Sequence, residues 1–126
     1  MVFWILAGLV VYLAGVYMAG ILLALKIGPV AYMGPRDTLP EPSVLRARAL
    51  KATANFNENL PVFLVLAVLS LIVDGTDTAQ ALLGAQIFVI SRLVYLGVYL
   101  AGIPLVRSAV FMVGFAGLAM MALALL

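Results

Sequence analysis

"RALKATANFNENLP", residues Arg48–Pro61, sets two cations, one carboxylate and three asparagines into a chain that is otherwise apolar. Of its 126 residues 67% are hydrophobic, and only seven Lys/Arg and five Asp/Glu carry charge. The mean hydropathy is +1.27. A soluble domain is about 45–50% apolar and could not cover its surface with so few charges. The polar row therefore sits inside an integral membrane protein of one domain, residues 1–126. Polar groups at membrane depth are costly and usually serve a purpose there.

Several function classes drop out at once. The net charge of +2 is small and its basic residues are scattered through apolar sequence, which speaks against nucleic acid as a partner. The chain has no cysteine and no histidine, so disulfides, thiolate nucleophiles, Ser-His and Cys-His catalysis and the usual zinc sites are absent. No phosphate-binding glycine motif is present. A nucleophile would have to arrive with a ligand.

Working outward from the row, Val2 to Leu25 is an uncharged run, long enough to cross a hydrocarbon core of about 30 Å at about 1.5 Å per residue. It lacks the basic start of a cleaved signal peptide. Gly15 and Ala19 stand four apart, a spacing that lets helices pack closely. "GPVAYMGPRDTLPEP", Gly28 to Pro42, breaks any helix with four prolines and two glycines. Ser43 is placed to cap the next helix, with Glu41 near its N-terminus. "DGTD", Asp74 to Asp77, is a tight turn, and Asp77 with Gln80 suggests a variant of the capping box. "AGIP", Ala101 to Pro104, turns the chain again, with Pro104 suited to a first helical turn. The expectation is an all-α integral membrane four-helix bundle with spans at about 2–26, 44–73, 78–100 and 105–126. Lys26, Arg36, Arg46, Arg48 and Lys51 gather round the first loop and Arg107 flanks the third, while the second turn holds only Asp74 and Asp77. The positive-inside rule then puts loops one and three in the cytoplasm and both termini on the outer side. Brevity and the lack of targeting motifs lean towards a bacterial inner membrane.

Successive helical residues advance about 100°. Arg48, Lys51, Asn55 and Glu58 then fall within an arc of about 80° on the second span, and Arg92, Tyr95 and Tyr99 within about 60° on the third. Glu58 lies about 24 Å from the Asp74 turn and Arg92 about 22 Å from Asp77, hence at nearly one level. The two can neutralise each other, which would offset part of the cost of charge at that depth. Such a pair alone leaves Lys51, Asn55, Tyr95, Tyr99 and Arg107 without a role. The spans are expected to bring a polar cluster to one recess in the inner leaflet, closed towards the outside by "FLVLAVLSLIV". Pro61 cannot bond the carbonyl of Asn57 and bends the helix one turn past Glu58. Asn57 points away from the stripe, towards a neighbouring helix or subunit.

The pattern resembles the MAPEG family, membrane-associated proteins in eicosanoid and glutathione metabolism. Their second span typically reads R-A-x-R-A-x-x-N-x-x-E-N-x-P, which "RALKATANFNENLP" follows with Asn55, Glu58, Asn59 and Pro61 in place. "SRLVYLGVYLAGIPLVRS", Ser91 to Ser108, is similar to the family's third- and fourth-span signature. The resemblance covers essentially the whole chain. It implies a homotrimer with glutathione between subunits near the cytoplasmic face, held by the second span of one and the third and fourth of its neighbour. By position it makes Lys51, Asn55, Glu58, Arg92, Tyr95, Tyr99, Arg107 and Ser108 the glutathione contacts, with Arg107 the catalytic arginine that stabilises the thiolate. The chain departs from the family at Lys51, where the usual arginine offers a bidentate fork. Ala54 replaces an arginine and Phe111 a tyrosine of some members.

The residues themselves suit that ligand. Glutathione carries two carboxylates and one ammonium, which match a site with several cations and one carboxylate. Its thiol has a pKa near that of free cysteine, about 8.5, and a neighbouring arginine favours the anion. The implied activity is a glutathione-dependent transferase or peroxidase acting on lipophilic electrophiles or lipid hydroperoxides. The alternatives are a non-catalytic member of the same fold that binds lipid or serves structurally, and a small proton-coupled multidrug transporter. Such transporters carry an essential acid in the first span, and this chain has none there.

Overall fold

Lipid offers no hydrogen-bond partner to a backbone amide, so long apolar runs must satisfy their own amides as helices. The computed structural model describes residues 1–35 and 37–126; Arg36, counted above among the basic residues of the first loop, lies outside the described residues. Five helices follow in order: α1 (Val2–Ile27), α2 (Pro29–Met33), α3 (Val44–Ile72), α4 (Thr78–Ala101) and α5 (Pro104–Leu123), with no strand among the described residues. All except the short α2 are long and apolar enough to cross a membrane.

Helix ends follow local chemistry. Ser43 caps α3, its hydroxyl accepting from the Arg46 amide at 3.2 Å. Asp77 caps α4 in the same way, accepting from the Gln80 amide at 3.0 Å. The second half of the suggested capping box does not form. The Asp77 amide donates to the Ala124 carbonyl at 2.9 Å, and the Gln80 side chain donates to the Met120 carbonyl at 3.1 Å. The Ala124 carbonyl, just past the end of α5, has no donor from its own helix. The Met120 carbonyl, which also accepts from the Ala124 amide at 3.0 Å, takes the Gln80 group as a second donor; both lie beside the α4 start. The clasp ties the C-terminal end of the chain to the turn between α3 and α4. At the opposite end α2 folds back on α1, where a Cβ added to Gly20 would lie 2.9 Å from the Tyr32 hydroxyl. There the Lys26 ammonium donates to the Glu41 carbonyl, tying α1 to the segment before α3.

Helices in lipid gain little from hiding apolar surface and associate mainly by close packing. The tightest pair is α4 with α5. A Cβ on Gly84 would sit 2.6 Å from the Gly117 carbonyl oxygen, and one on Gly117 would sit 2.7 Å from the Gly84 carbonyl oxygen. The two backbones therefore touch. On the other side of α4, the buried rings of Phe56 and Phe63 from α3 meet Phe88, and Phe63 stacks on Phe88 at 4.7 Å between centroids. A stacked aromatic pair adds about 0.5–1.5 kcal/mol beyond the area it buries. α1 lies across α3, with Gly15 and Ala19 both buried and Gly15 against the Thr53 hydroxyl. The small-residue spacing read in the first span thus serves packing within the chain. Outward, large apolar side chains such as Val10, Val65, Ile90 and Val113 are exposed, as expected of a surface solvated by lipid.

Candidate functional site

The polar row of α3 divides among several tasks. Asn57 leaves the stripe and accepts a long hydrogen bond, 3.5 Å, from the Tyr12 hydroxyl of α1. Asn59 donates back to the Asn55 carbonyl at 2.8 Å. Lys51, Asn55 and Glu58 line a groove of about 500 Å³ between α3, α4 and α5. Tyr95 and Tyr99 face it from α4, and Arg107 and Ser108 from the first turns of α5. A single chain thus brings together every candidate named from the sequence except Arg92, where the resemblance implied that the second span of one subunit and the third and fourth of its neighbour share them.

Arg92 stands behind the groove. Its side chain is 2% exposed, and its guanidinium carbon lies 5.0 Å from the ring centre of Phe88 and 5.1 Å from that of Phe111. The pairing with Glu58 is not made: among the described residues Arg92 has one hydrogen-bond partner, the Asn55 side-chain oxygen, 3.0 Å from Nη1. Nε and Nη2 are buried without a partner. The reason is rotational. Three residues along a helix turn the side chain about 60° short of a full circle. That offset leaves the Asn55 edge of the stripe towards the core, where Phe56 and Leu60 are buried, and the Glu58 edge exposed on the groove. Equal depth, which the sequence does give, is not the same as contact.

Without a counter-ion, Arg92 is held by surrounding rings. A desolvated cation over an aromatic face gains up to about 2 kcal/mol, against a burial penalty of several kcal/mol. Its charge is therefore incompletely neutralised, and it adds to the positive side of the groove. Arg107 is supported differently: its guanidinium carbon lies 4.9 Å over the Tyr99 ring, which orients the group and leaves its N–H donors free. Tyr99 in turn meets Tyr95 edge to face at 5.5 Å. The side chains of Lys51, Glu58 and Arg107 have no hydrogen bond or ion pair among the described residues. The groove thus offers two free cations and one free carboxylate. It can receive a small molecule with anionic groups for the former and a cationic donor for the latter.

A second cavity, about 580 Å³, shares Lys51, Tyr99 and Arg107 with the groove and extends it towards the turn between α4 and α5. Arg48 lines it and donates from Nη1 to the Leu100 carbonyl at 3.0 Å. A cation there satisfies a terminal carbonyl and meets the negative end of the helix dipole. Gly102, the α4 cap, has φ 76°, and a Cβ on it would lie 2.5 Å from the Arg48 guanidinium carbon. Glycine is required twice over, for the backbone angle and for the space. Arg48 belongs to the α3 stripe but was not among the expected contacts, nor were Ala54, Phe111 and Met112, which also line the groove. The spacing offered a signal for two of them: Phe111 and Met112 follow Arg107 and Ser108 by four, one helical turn on.

The MAPEG family model matches residues 1–126, the whole chain, and the chain belongs to that family. The family includes glutathione-dependent transferases and peroxidases, and with four apolar helices the chain is an integral membrane protein. No curated protein and no solved structure matches it.

Proposed function

We propose that this MAPEG-family chain binds glutathione in the groove between α3, α4 and α5 and uses it on lipophilic electrophiles or lipid hydroperoxides, as a membrane transferase or peroxidase. The observation that carries the proposal is the charge layout. Two unpaired cations, Lys51 and Arg107, and one unpaired carboxylate, Glu58, line one groove, and glutathione carries two carboxylates and one ammonium. The volume, about 500 Å³, falls within the range of about 300–1,000 Å³ common for small-molecule sites.

Bound there, glutathione supplies the nucleophilic sulfur that a chain without cysteine lacks. Lys51 and Arg107 receive carboxylates, and Glu58 accepts from the ammonium. Arg107, held on Tyr99, directs N–H donors into the groove and stabilises negative charge on sulfur, the form a thiol with an ordinary pKa of about 8.5 otherwise disfavours at neutral pH. Asn55, Tyr95, Tyr99 and Ser108 supply polar contacts that fix orientation. Apolar Phe111 and Met112 on the same wall suit an acceptor arriving from lipid. The chain forms one domain of four spans, assembles as a homotrimer, and turns the groove end to the cytoplasm of a bacterial inner membrane.

One observation favours a second reading, a non-catalytic member of the fold that binds lipid or serves structurally. Phe111 lines the groove where some members resembling this chain carry a tyrosine, so no hydroxyl is available there. Isothermal titration with glutathione in detergent separates the two. Binding that is lost in Arg107→Ala and in Glu58→Ala supports the enzyme; a wild-type protein that gives no heat with glutathione leaves the non-catalytic reading.

A further inference from the structure

The one polar partner of Arg92 carries more information than a stabilising contact. A guanidinium has only donors and no acceptor. The Asn55 atom facing Arg92 Nη1 at 3.0 Å must therefore be the side-chain oxygen. With the oxygen turned inward, the amide nitrogen is turned away from Arg92. That nitrogen has no partner among the described residues and is not buried, and Asn55 lines the groove. We infer that Arg92 is a positioning residue: it locks the Asn55 amide so that only N–H donors face the groove, and the ligand atom opposite is an acceptor, a carbonyl or carboxylate oxygen.

The surroundings argue against a purely structural role. Arg92 leaves Nε and Nη2 unpartnered among the rings of Phe56, Phe88, Tyr95 and Phe111. An apolar side chain of similar volume would fill such a site at lower cost, since buried charges are weak contributors to stability. What arginine supplies and an apolar residue cannot is a fixed direction for the Asn55 amide. An amide without that constraint rotates between two orientations, one of which turns its oxygen towards the ligand's own oxygen.

The test uses Asn55→Asp in the full-length protein in detergent. It rests on glutathione as the groove ligand, so thermal unfolding and glutathione titration are both measured. The aspartate gives Arg92 a counter-ion and removes the donors from the groove. The expected result is a higher Tm together with glutathione affinity lowered about tenfold or more. A lower Tm overturns the lock, and unchanged or tighter glutathione binding overturns the donor assignment. A wild-type protein that fails to bind glutathione refutes the ligand proposed above, and the sign of the Tm change still decides the lock. Should Asn55→Asp fail to fold, Arg92→Lys and Arg92→Met replace it. Methionine, an apolar filler, leaves Tm at or above wild type yet loses about tenfold in affinity, while lysine, also a pure donor, keeps affinity within about threefold of wild type. Equal affinities in those two variants overturn the inference.

Discussion

Two glycines of α4 should respond to the same substitution with opposite signs. At Gly84 an added Cβ lies 2.6 Å from the Gly117 carbonyl oxygen, 2.8 Å from Met121 Cγ and 3.0 Å from the Met121 amide nitrogen. Two of these are backbone atoms and cannot swing aside, so α5 must retreat until the contact opens from 2.6 Å to an ordinary 3.4 Å. Overpacking of this kind costs about 1–3 kcal/mol. The retreat also loosens the Gln80 clasp on Met120. Alanine's better helix propensity returns about 0.8–1.0 kcal/mol, so Gly84→Ala should be destabilising on balance. At Gly97 a Cβ meets nothing within 4 Å, and only the propensity gain remains, giving Gly97→Ala about 0.5–1 kcal/mol of added stability. Thermal unfolding in detergent, followed by circular dichroism, reads both. If Gly84→Ala melts at or above wild type, or if the two variants shift together, the backbone contact between α4 and α5 is wrong.

Gly102→Ala should cost more stability than the about 1–2 kcal/mol of a strained positive φ, read as a lower Tm, because its methyl also displaces Arg48 from the α4 carboxyl end; the added Arg48→Met change should then cost little more. Phe63→Ala opens a cavity beneath the Phe88 ring and should cost about 3–5 kcal/mol, measured by the same melts. Glutathione affinity, carried by charges on Lys51, Glu58 and Arg107, should weaken as salt rises in calorimetric titrations; a salt-independent affinity would contradict an ionic site.

Much of the architecture was legible because a bilayer imposes simple demands. Apolar length marks the spans, and Ser43, Asp77, Gly102 and Pro104 mark their ends by chemistry that acts within a few residues. The stripe on α3 was legible too, since 3.6-residue periodicity fixes which side chains share a face. What could not be read was which neighbour each group meets. Gln80 looked suited to its own helix end, yet the Met120 carbonyl near the end of α5 competes for the same donor. Glu58 and Arg92 share a depth, but the rotation of α3 about its axis gives Arg92 to Asn55. The hydrophobic pattern says little about that rotation, because exposed Val65 and core Ala67 are both apolar. For the same reason Phe111 and Met112 carry no mark that distinguishes a groove wall from a lipid surface.

The most direct measurement is a density map of the protein prepared with glutathione. The account predicts a tripeptide in the α3–α4–α5 groove with carboxylates on Lys51 and Arg107, its ammonium on Glu58 and its sulfur beside Arg107. An empty groove at saturating glutathione, or a tripeptide lodged away from Glu58 and Arg107, would contradict it.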